Sequence, residues 1–146
     1  MIIRADAAEA SALWHNGEAW QVVDTLGRVM TRARVSDHVD LPKLAGEGAP
    51  IASPNLVAAL SALPSVRREL AVARRISERR WDLQLKSGAI VRLPADENLA
   101  AGVSSLAEAE ASSAISRRAL ALIDLRVPGR IYLTPAQPPI DAKEAA

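Results

Sequence analysis

Cysteine and phenylalanine are both absent from the 146 residues, and three tryptophans, one tyrosine and two histidines make up the whole aromatic and imidazole complement. Without cysteine there can be no disulfide, no thiolate metal site and no cysteine nucleophile, and the chain suits a reducing or an oxidising compartment equally. An excess of one charge is missing too: 18 Lys and Arg stand against 17 Asp and Glu, a formal net charge of +1. No global field draws such a chain to nucleic acid or anionic lipid, so any electrostatic recognition must be local. No run approaches the roughly 18 consecutive apolar residues of a membrane span, and the first residues do not join a basic cluster to an apolar stretch as a secretion signal does. A hydrophobic content of 49% over this length suits one ordinary core, so one domain with loose ends is expected.

Catalytic equipment is equally sparse. His15 and His38 fall in turn or loop contexts and read as solvated side chains. Gly46-Glu47-Gly48 lacks the Gly-Lys-Ser/Thr ending of a phosphate loop and reads as a turn. Glu78, Asp82 and Asp124 could supply paired carboxylates, but Arg79, Arg80 and Lys86 lie beside the first two, and ordinary ion pairing explains them. The arginine pairs at 67–68, 74–75 and 79–80 form the strongest charge feature, yet only Trp81 is near enough to stack a base. They read as a solvated strand face with local acidic partners rather than a nucleic-acid surface. No enzyme activity, cofactor or metal site is therefore expected.

What is present is β-structure with two helical insertions. Ala12-Leu13-Trp14-His15 and Ala19-Trp20-Gln21-Val22-Val23 flank Asn16-Gly17, which predicts a hairpin. A second turn at residues 24–27 leads into a strand at Val29. Residues 31–50 have weak periodicity and, with their prolines and glycines, predict a surface loop. Ser53-Pro54 predicts a helix start, with Ser53 as cap and Pro54 at the first helical position, and Leu56, Leu60 and Leu63 make its apolar stripe. A short second helix over residues 66–70 is expected after Pro64.

From Leu70 the period changes toward two. Residues 70–76 predict a strand. Trp81, Leu83 and Leu85 then face one way while Asp82, Gln84 and Lys86 face the other, and Lys86-Ser87-Gly88 turns the chain into a returning strand over residues 89–93. Asp96 is a candidate cap for a helix buried through Leu99, Val103 and Leu106. Residues 120–125 predict a strand, Val127-Pro128-Gly129-Arg130 a type II turn, and Ile131-Tyr132-Leu133-Thr134 the last strand, which Pro135 ends. The sum is an α+β fold, an antiparallel or mixed β-sheet with helices packed on one face, closing on a β-hairpin whose final strand is an exposed edge. Such an edge carries unpaired N–H and C=O groups. It is either guarded by Arg130, Pro135 and the tail, or open to a strand from another protein.

Two phrases carry a resemblance: Arg79-Arg80-Trp81-Asp82-Leu83-Gln84-Leu85-Lys86-Ser87-Gly88, and Asp124-Leu125-Arg126 after the second helix. Together they resemble the C-terminal extracytoplasmic part of the FtsQ/DivIB family of bacterial cell-division proteins, with its R-R-W-x-L-x-L-x-x-G phrase followed by a helix and D-L-R. Ala12-Leu13-Trp14 with Asp24 through Gly27, and Leu41-Pro42-Lys43-Leu44-Ala45-Gly46-Glu47-Gly48-Ala49, resemble two further family segments, the second closest to proteobacterial versions.

The resemblance implies a non-enzymatic divisome scaffold at the periplasmic face of the inner membrane, at the division septum. It implies a chain in which residues 1–11 are the remnant of a POTRA strand and linker, residues 12–134 the β domain, and residues 135–146 a disordered tail. The membrane helix and most of the POTRA domain of the family are not in this sequence, so attachment to the membrane is expected only through a helix this chain lacks. The implied partners are division proteins of the FtsB and FtsL types, recruited by strand addition to the last strand. Arg126 looks like the principal salt-bridge residue and Arg79 the second. Val127, Gly129, Arg130, Ile131, Tyr132 and Leu133 would shape the accepting edge, with Trp81 and Asp124 mainly structural. Some relatives carry tyrosine directly after D-L-R as an apolar anchor where this chain has Val127; either part of that anchor is lost here or Tyr132 replaces it. The alternative is a POTRA-linked module of an outer-membrane assembly or secretion system.

Overall fold

A computed structural model describes residues 9–115 and 118–136 of the chain. Alternating or β-branched apolar residues form nine strands: β1 (Ala10–His15), β2 (Trp20–Asp24), β3 (Val29–Met30), β4 (Lys43–Ala45), β5 (Leu70–Ile76), β6 (Arg80–Leu85), β7 (Ile90–Arg92), β8 (Leu120–Asp124) and β9 (Tyr132–Pro135). They make one sheet in the order β3-β2-β1-β4-β5-β6-β7-β8-β9. Hairpin neighbours are antiparallel, whereas β1–β4, β4–β5 and β7–β8 pair in parallel.

Parallel neighbours need a crossover, and the helices supply two of the three. Helices α1 (Ala49–Ser61) and α2 (Pro64–Glu69) carry the chain from β4 to β5, and α3 (Leu99–Ser113) carries it from β7 to β8. One core results. Leu56, Leu60, Leu63 and Val66 from the first crossover and Leu99, Val103 and Leu106 from the second pack on Leu44, Ala73, Trp81, Leu83, Val91 and Ile123 of the sheet. Trp81 is 1% exposed, and truncating a buried tryptophan to alanine costs roughly 3–5 kcal/mol. The expected α+β architecture, mixed sheet and closing hairpin are all present.

Several local expectations are corrected. Residues 31–50 are not simply a loop: Lys43–Ala45 forms a central strand, paired with β1 on one side and β5 on the other. Three residues are too short for periodicity to register, and both pairings are with strands distant in sequence. The first hairpin is joined by four residues rather than Asn16-Gly17 alone, with the Asn16 side-chain oxygen accepting from the N–H groups of Glu18 and Ala19 at 2.8 and 2.9 Å. His15 accordingly ends a strand, edge-on to Trp20 with ring centroids 5.0 Å apart.

Helix α1 starts at Ala49, four residues before Ser53, with Pro50 in its first turn and Pro54 inside it. Pro54 cannot donate to the Pro50 carbonyl one turn back. The Ser53 hydroxyl donates to that carbonyl instead, at 2.7 Å, so the buried serine repairs the helix rather than capping it. Asp96 likewise caps nothing. It lies in a single 3-10 turn (Asp96–Asn98) and binds the Arg75 guanidinium through both oxygens, at 2.8 and 2.5 Å. Pro135 does not stop the last ladder: it pairs with Leu120, and the Ala136 N–H still donates to the Ala119 carbonyl at 3.0 Å. The expected regions at residues 1–8 and 137–146 lie outside the described residues.

Candidate functional site

The β8–β9 hairpin stands at one edge of the sheet. Its turn is closed by the Arg130 N–H donating to the Val127 carbonyl at 3.1 Å, and Gly129 takes φ 77°, the left-handed value a type II turn demands of its third residue. Val127, Gly129 and Arg130 are exposed in this turn, Ile131 is partly buried against the core, and Tyr132 and Leu133 are 48% and 38% exposed on β9.

Backbone direction along β9 follows from alternation. Because the Ala136 N–H points inward to Ala119, the N–H groups of Thr134 and Tyr132 also point inward, and those of Leu133 and Ile131 point outward. Pro135 occupies an outward position, where it has no donor to leave unpaired. The outward-facing N–H groups of the edge thus lie beside Tyr132 and Leu133.

Register places a row of charge beside this edge. Arg74, Asp82, Arg92, Asp124 and Tyr132 are successive cross-strand partners from β5 to β9. Trp81 and Leu83 point into the core from β6, so Asp82 between them faces the side of the sheet that carries no helix, and the whole row shares that open face. Arg80 pairs with Asp82 through Nη1. Arg126 grips Asp124 with Nε at 3.0 and 3.2 Å and Nη2 at 2.8 Å, and its backbone N–H adds a bond at 3.0 Å.

This grip has electrostatic consequences. The Arg126 side-chain hydrogen bonds hold the Asp124 carboxyl below the usual carboxylate range against the opposing effect of burial, with Arg92 adding a smaller pull. Asp124 in turn raises the Arg126 pKa. Arg126 is therefore a fixed cation, 44% exposed at its side chain, on a carboxylate that is only 13% exposed. The arrangement presents a charge; among the described residues no group of three or more His, Cys, Asp or Glu could hold a metal.

The sequence-predicted residues divide accordingly. Arg126, Val127, Gly129, Arg130, Tyr132 and Leu133 gather at the hairpin, with Ile131 beneath them. Arg79 sits exposed in the β5–β6 turn, where its carbonyl accepts from the Asp96 N–H at 3.0 Å. Trp81 is core, under the Arg75 guanidinium at 5.2 Å. Sequence reasoning placed Arg80 and Asp82 on a solvated, ion-paired strand face but missed Arg92 and the continuation of that face to Asp124. Alternation puts Arg92 too on the polar side of its strand, but the adjacency of this face to Asp124 depends on a parallel pairing no local pattern reveals.

Comparison with known proteins agrees with this geometry. A profile described as "Cell division protein FtsQ/DivIB, C-terminal" matches residues 12–126. The chain is 32% identical over 146 residues to the cell division protein FtsQ of Caulobacter vibrioides, covering 100% of this chain and 48% of that protein. It is 38% identical over 94 residues to FtsQ of Hirschia baltica, covering 64% of this chain and 32% of that one. The chain spans about half the length of the Caulobacter relative. Among solved structures, the major extracytoplasmic domain of DivIB from Geobacillus stearothermophilus superposes with a TM-score of 0.50 at 16% identity, over 78% of this chain and 100% of that domain. The profile covers both the Arg-Arg-Trp strand and the Asp-Leu-Arg segment that build the charged face, and the chain belongs to the FtsQ/DivIB family of cell-division proteins, of which it carries the C-terminal region.

Proposed function

We propose that this chain is a non-enzymatic divisome scaffold at the periplasmic face of the inner membrane, where it recruits partners of the FtsB and FtsL types and so supports septum formation. A partner segment adds to β9 as a tenth strand and places acidic side chains against Arg126, with Arg79 as a second contact. The observation that carries this reading is the edge itself: outward donors at Leu133 and Ile131 lie beside exposed Val127, Tyr132 and Leu133 and one strand from a pinned guanidinium. Backbone pairing supplies affinity, and the arginine selects an acidic partner. Tyr132 and Val127 together take the place of the apolar anchor that some relatives put directly after D-L-R. In this reading the residues before Ala10 lead in from a POTRA domain and those after Ala136 trail from the β domain; both boundaries move outward from 11 and 135 because Ala10 and Ser11 belong to β1 and Pro135 and the Ala136 N–H to the β8–β9 ladder. The outer-membrane module has no observation in its favour.

Titration with the periplasmic FtsB segment of the same genome tests the proposal. Leu133→Pro removes one outward N–H at an edge position that tolerates proline, and Arg126→Glu reverses the charge. Each should weaken binding by about tenfold or more, as loss of a charge-assisted or backbone contact at a desolvated edge does. A folded wild-type chain that ignores the segment, or variants that bind it equally well, would sink the assignment.

A further inference from the structure

The open face holds a second feature, distant from the hairpin. Along β4 the small Ala45 side chain lies between His15 of β1 and Arg74 of β5, its register partners. A trough results, with His15 and Trp20 on one wall, Val72 and Arg74 on the other, and Lys43 at one end. Its volume is about 360 Å³, the lower end of the range of ligand clefts and enough for one or two side chains. Counting five strand intervals of about 4.8 Å, β4 lies roughly 24 Å from β9.

Three observations give the trough a chemistry. Trp20 is 37% exposed, a large indole left partly uncovered although His15 packs on it. Lys43 and Arg74 are both exposed, and neither has an ion-pair partner among the described residues. Asp82, cross-strand from Arg74, is taken by Arg80, and no carboxylate lines the trough. An uncovered aromatic wall, an apolar floor and two unneutralised cations form a surface whose complement is apolar and negative.

We propose that this trough is a second docking surface, separate from the β9 edge, for an extended acidic peptide segment of a partner protein. The segment would set one apolar side chain over Ala45 against Trp20 and direct two carboxylates to Lys43 and Arg74. Those two residues lie on adjacent strands, offset by two positions along the strand direction, so their backbones are about 8 Å apart. Carboxylates on alternate residues of an extended chain are separated by nearly 7 Å and reach both cations with little bending. A membrane surface fits less well, because Trp20 walls a concave trough rather than capping a projecting tip.

The test uses the 146-residue chain and a fluorescein-labelled peptide of alternating Glu and Val, with its Lys-Val counterpart and anionic lipid vesicles as comparison probes. Expected are saturable anisotropy with the Glu-Val peptide alone and an NMR shift at the Trp20 indole N–H. The double variant Lys43→Glu, Arg74→Glu should weaken that binding tenfold or more and gain affinity for the Lys-Val peptide, and Ala45→Leu should weaken it by filling the floor with the charges kept. Because an acidic strand could also pair with β9, the Trp20 indole shift and the effects of the trough variants are read in the Leu133→Pro background, where they should persist. Equal binding by the double variant, loss of binding in Leu133→Pro, a silent Trp20 indole, or binding to the vesicles alone would each overturn the proposal. Because the edge variant is read separately, failure here leaves the β9 assignment standing.

Discussion

Asp24 shows how a single side chain can fix a turn. Its side chain is 4% exposed, and it accepts from the Leu26 and Arg28 N–H groups at 2.8 and 2.9 Å and from Arg28 Nε at 3.1 Å. Burial pushes its pKa up, but the two backbone donors and the guanidinium outweigh burial and hold it below the ordinary carboxylate value. A carboxyl whose folded pKa is depressed contributes stability that is complete above its unfolded pKa and is lost as pH falls through the folded one. Asp24→Asn should therefore cost about 1–3 kcal/mol at pH 7, the scale of a buried charged acceptor with its donors left poorly matched. It should also flatten the acid limb of stability below about pH 4. Urea unfolding at pH 7 and pH 3 checks both; parallel losses in the two proteins would show that Asp24 is not the titrating group. From sequence this residue was legible as a turn position. Its burial was not, because that depends on the Glu9 carbonyl and the α1 end closing around the turn.

At the scale of elements, the sequence was most legible where a pattern ran longest. The stripes Leu56, Leu60, Leu63 and Leu99, Val103, Leu106, and the alternation of Trp81, Leu83 and Leu85, all point to the core as their spacing requires. Strand β4 escaped because its support is entirely tertiary. It is also where the sheet tolerates least change: a Cβ on Gly46, just after the strand, would sit 2.5 Å from the Arg75 carbonyl oxygen, and φ there is 101°. Neither the backbone of β5 nor the left-handed conformation can give way cheaply. Gly46→Ala should destabilise by about 2 kcal/mol or more, and Leu44→Ala by about 2–5 kcal/mol through a cavity at the centre of the sheet. Thermal unfolding with unchanged far-ultraviolet dichroism at low temperature is the readout. A Gly46→Ala chain as stable as wild type would mean that the β4–β5 pairing is looser than described. The candidate site was legible in the same uneven way: the hairpin residues are contiguous and were read directly, while the charged row and the trough exist only once β4, β5, β7 and β8 are in register.

For the whole molecule, a net charge of +1 conceals a polarised surface. The open face carries Lys43, Arg74, Arg80, Arg92 and Arg126 against Asp82 and Asp124, so the remainder of the chain is net acidic. A field of this kind is short-ranged: it is felt over about 10 Å at 0.1 M salt and about 3 Å at 1 M. Under the proposed function an acidic partner approaches this face under electrostatic guidance and is then held by backbone pairing at β9, by the contact with Arg126 and by contacts with Tyr132 and Leu133. Guidance acts on the association rate, and pairing on the dissociation rate. Raising NaCl from 0.1 to 1 M should therefore slow association with an FtsB-type segment by about tenfold while changing dissociation much less. Arg92→Gln, which lies in the row but two strands from the edge, should reduce the salt dependence without altering dissociation. Stopped-flow mixing separates the two rates. If salt acted wholly on dissociation, the row would supply no guiding field, and the direct contact with Arg126 alone would account for the charge selectivity of the edge.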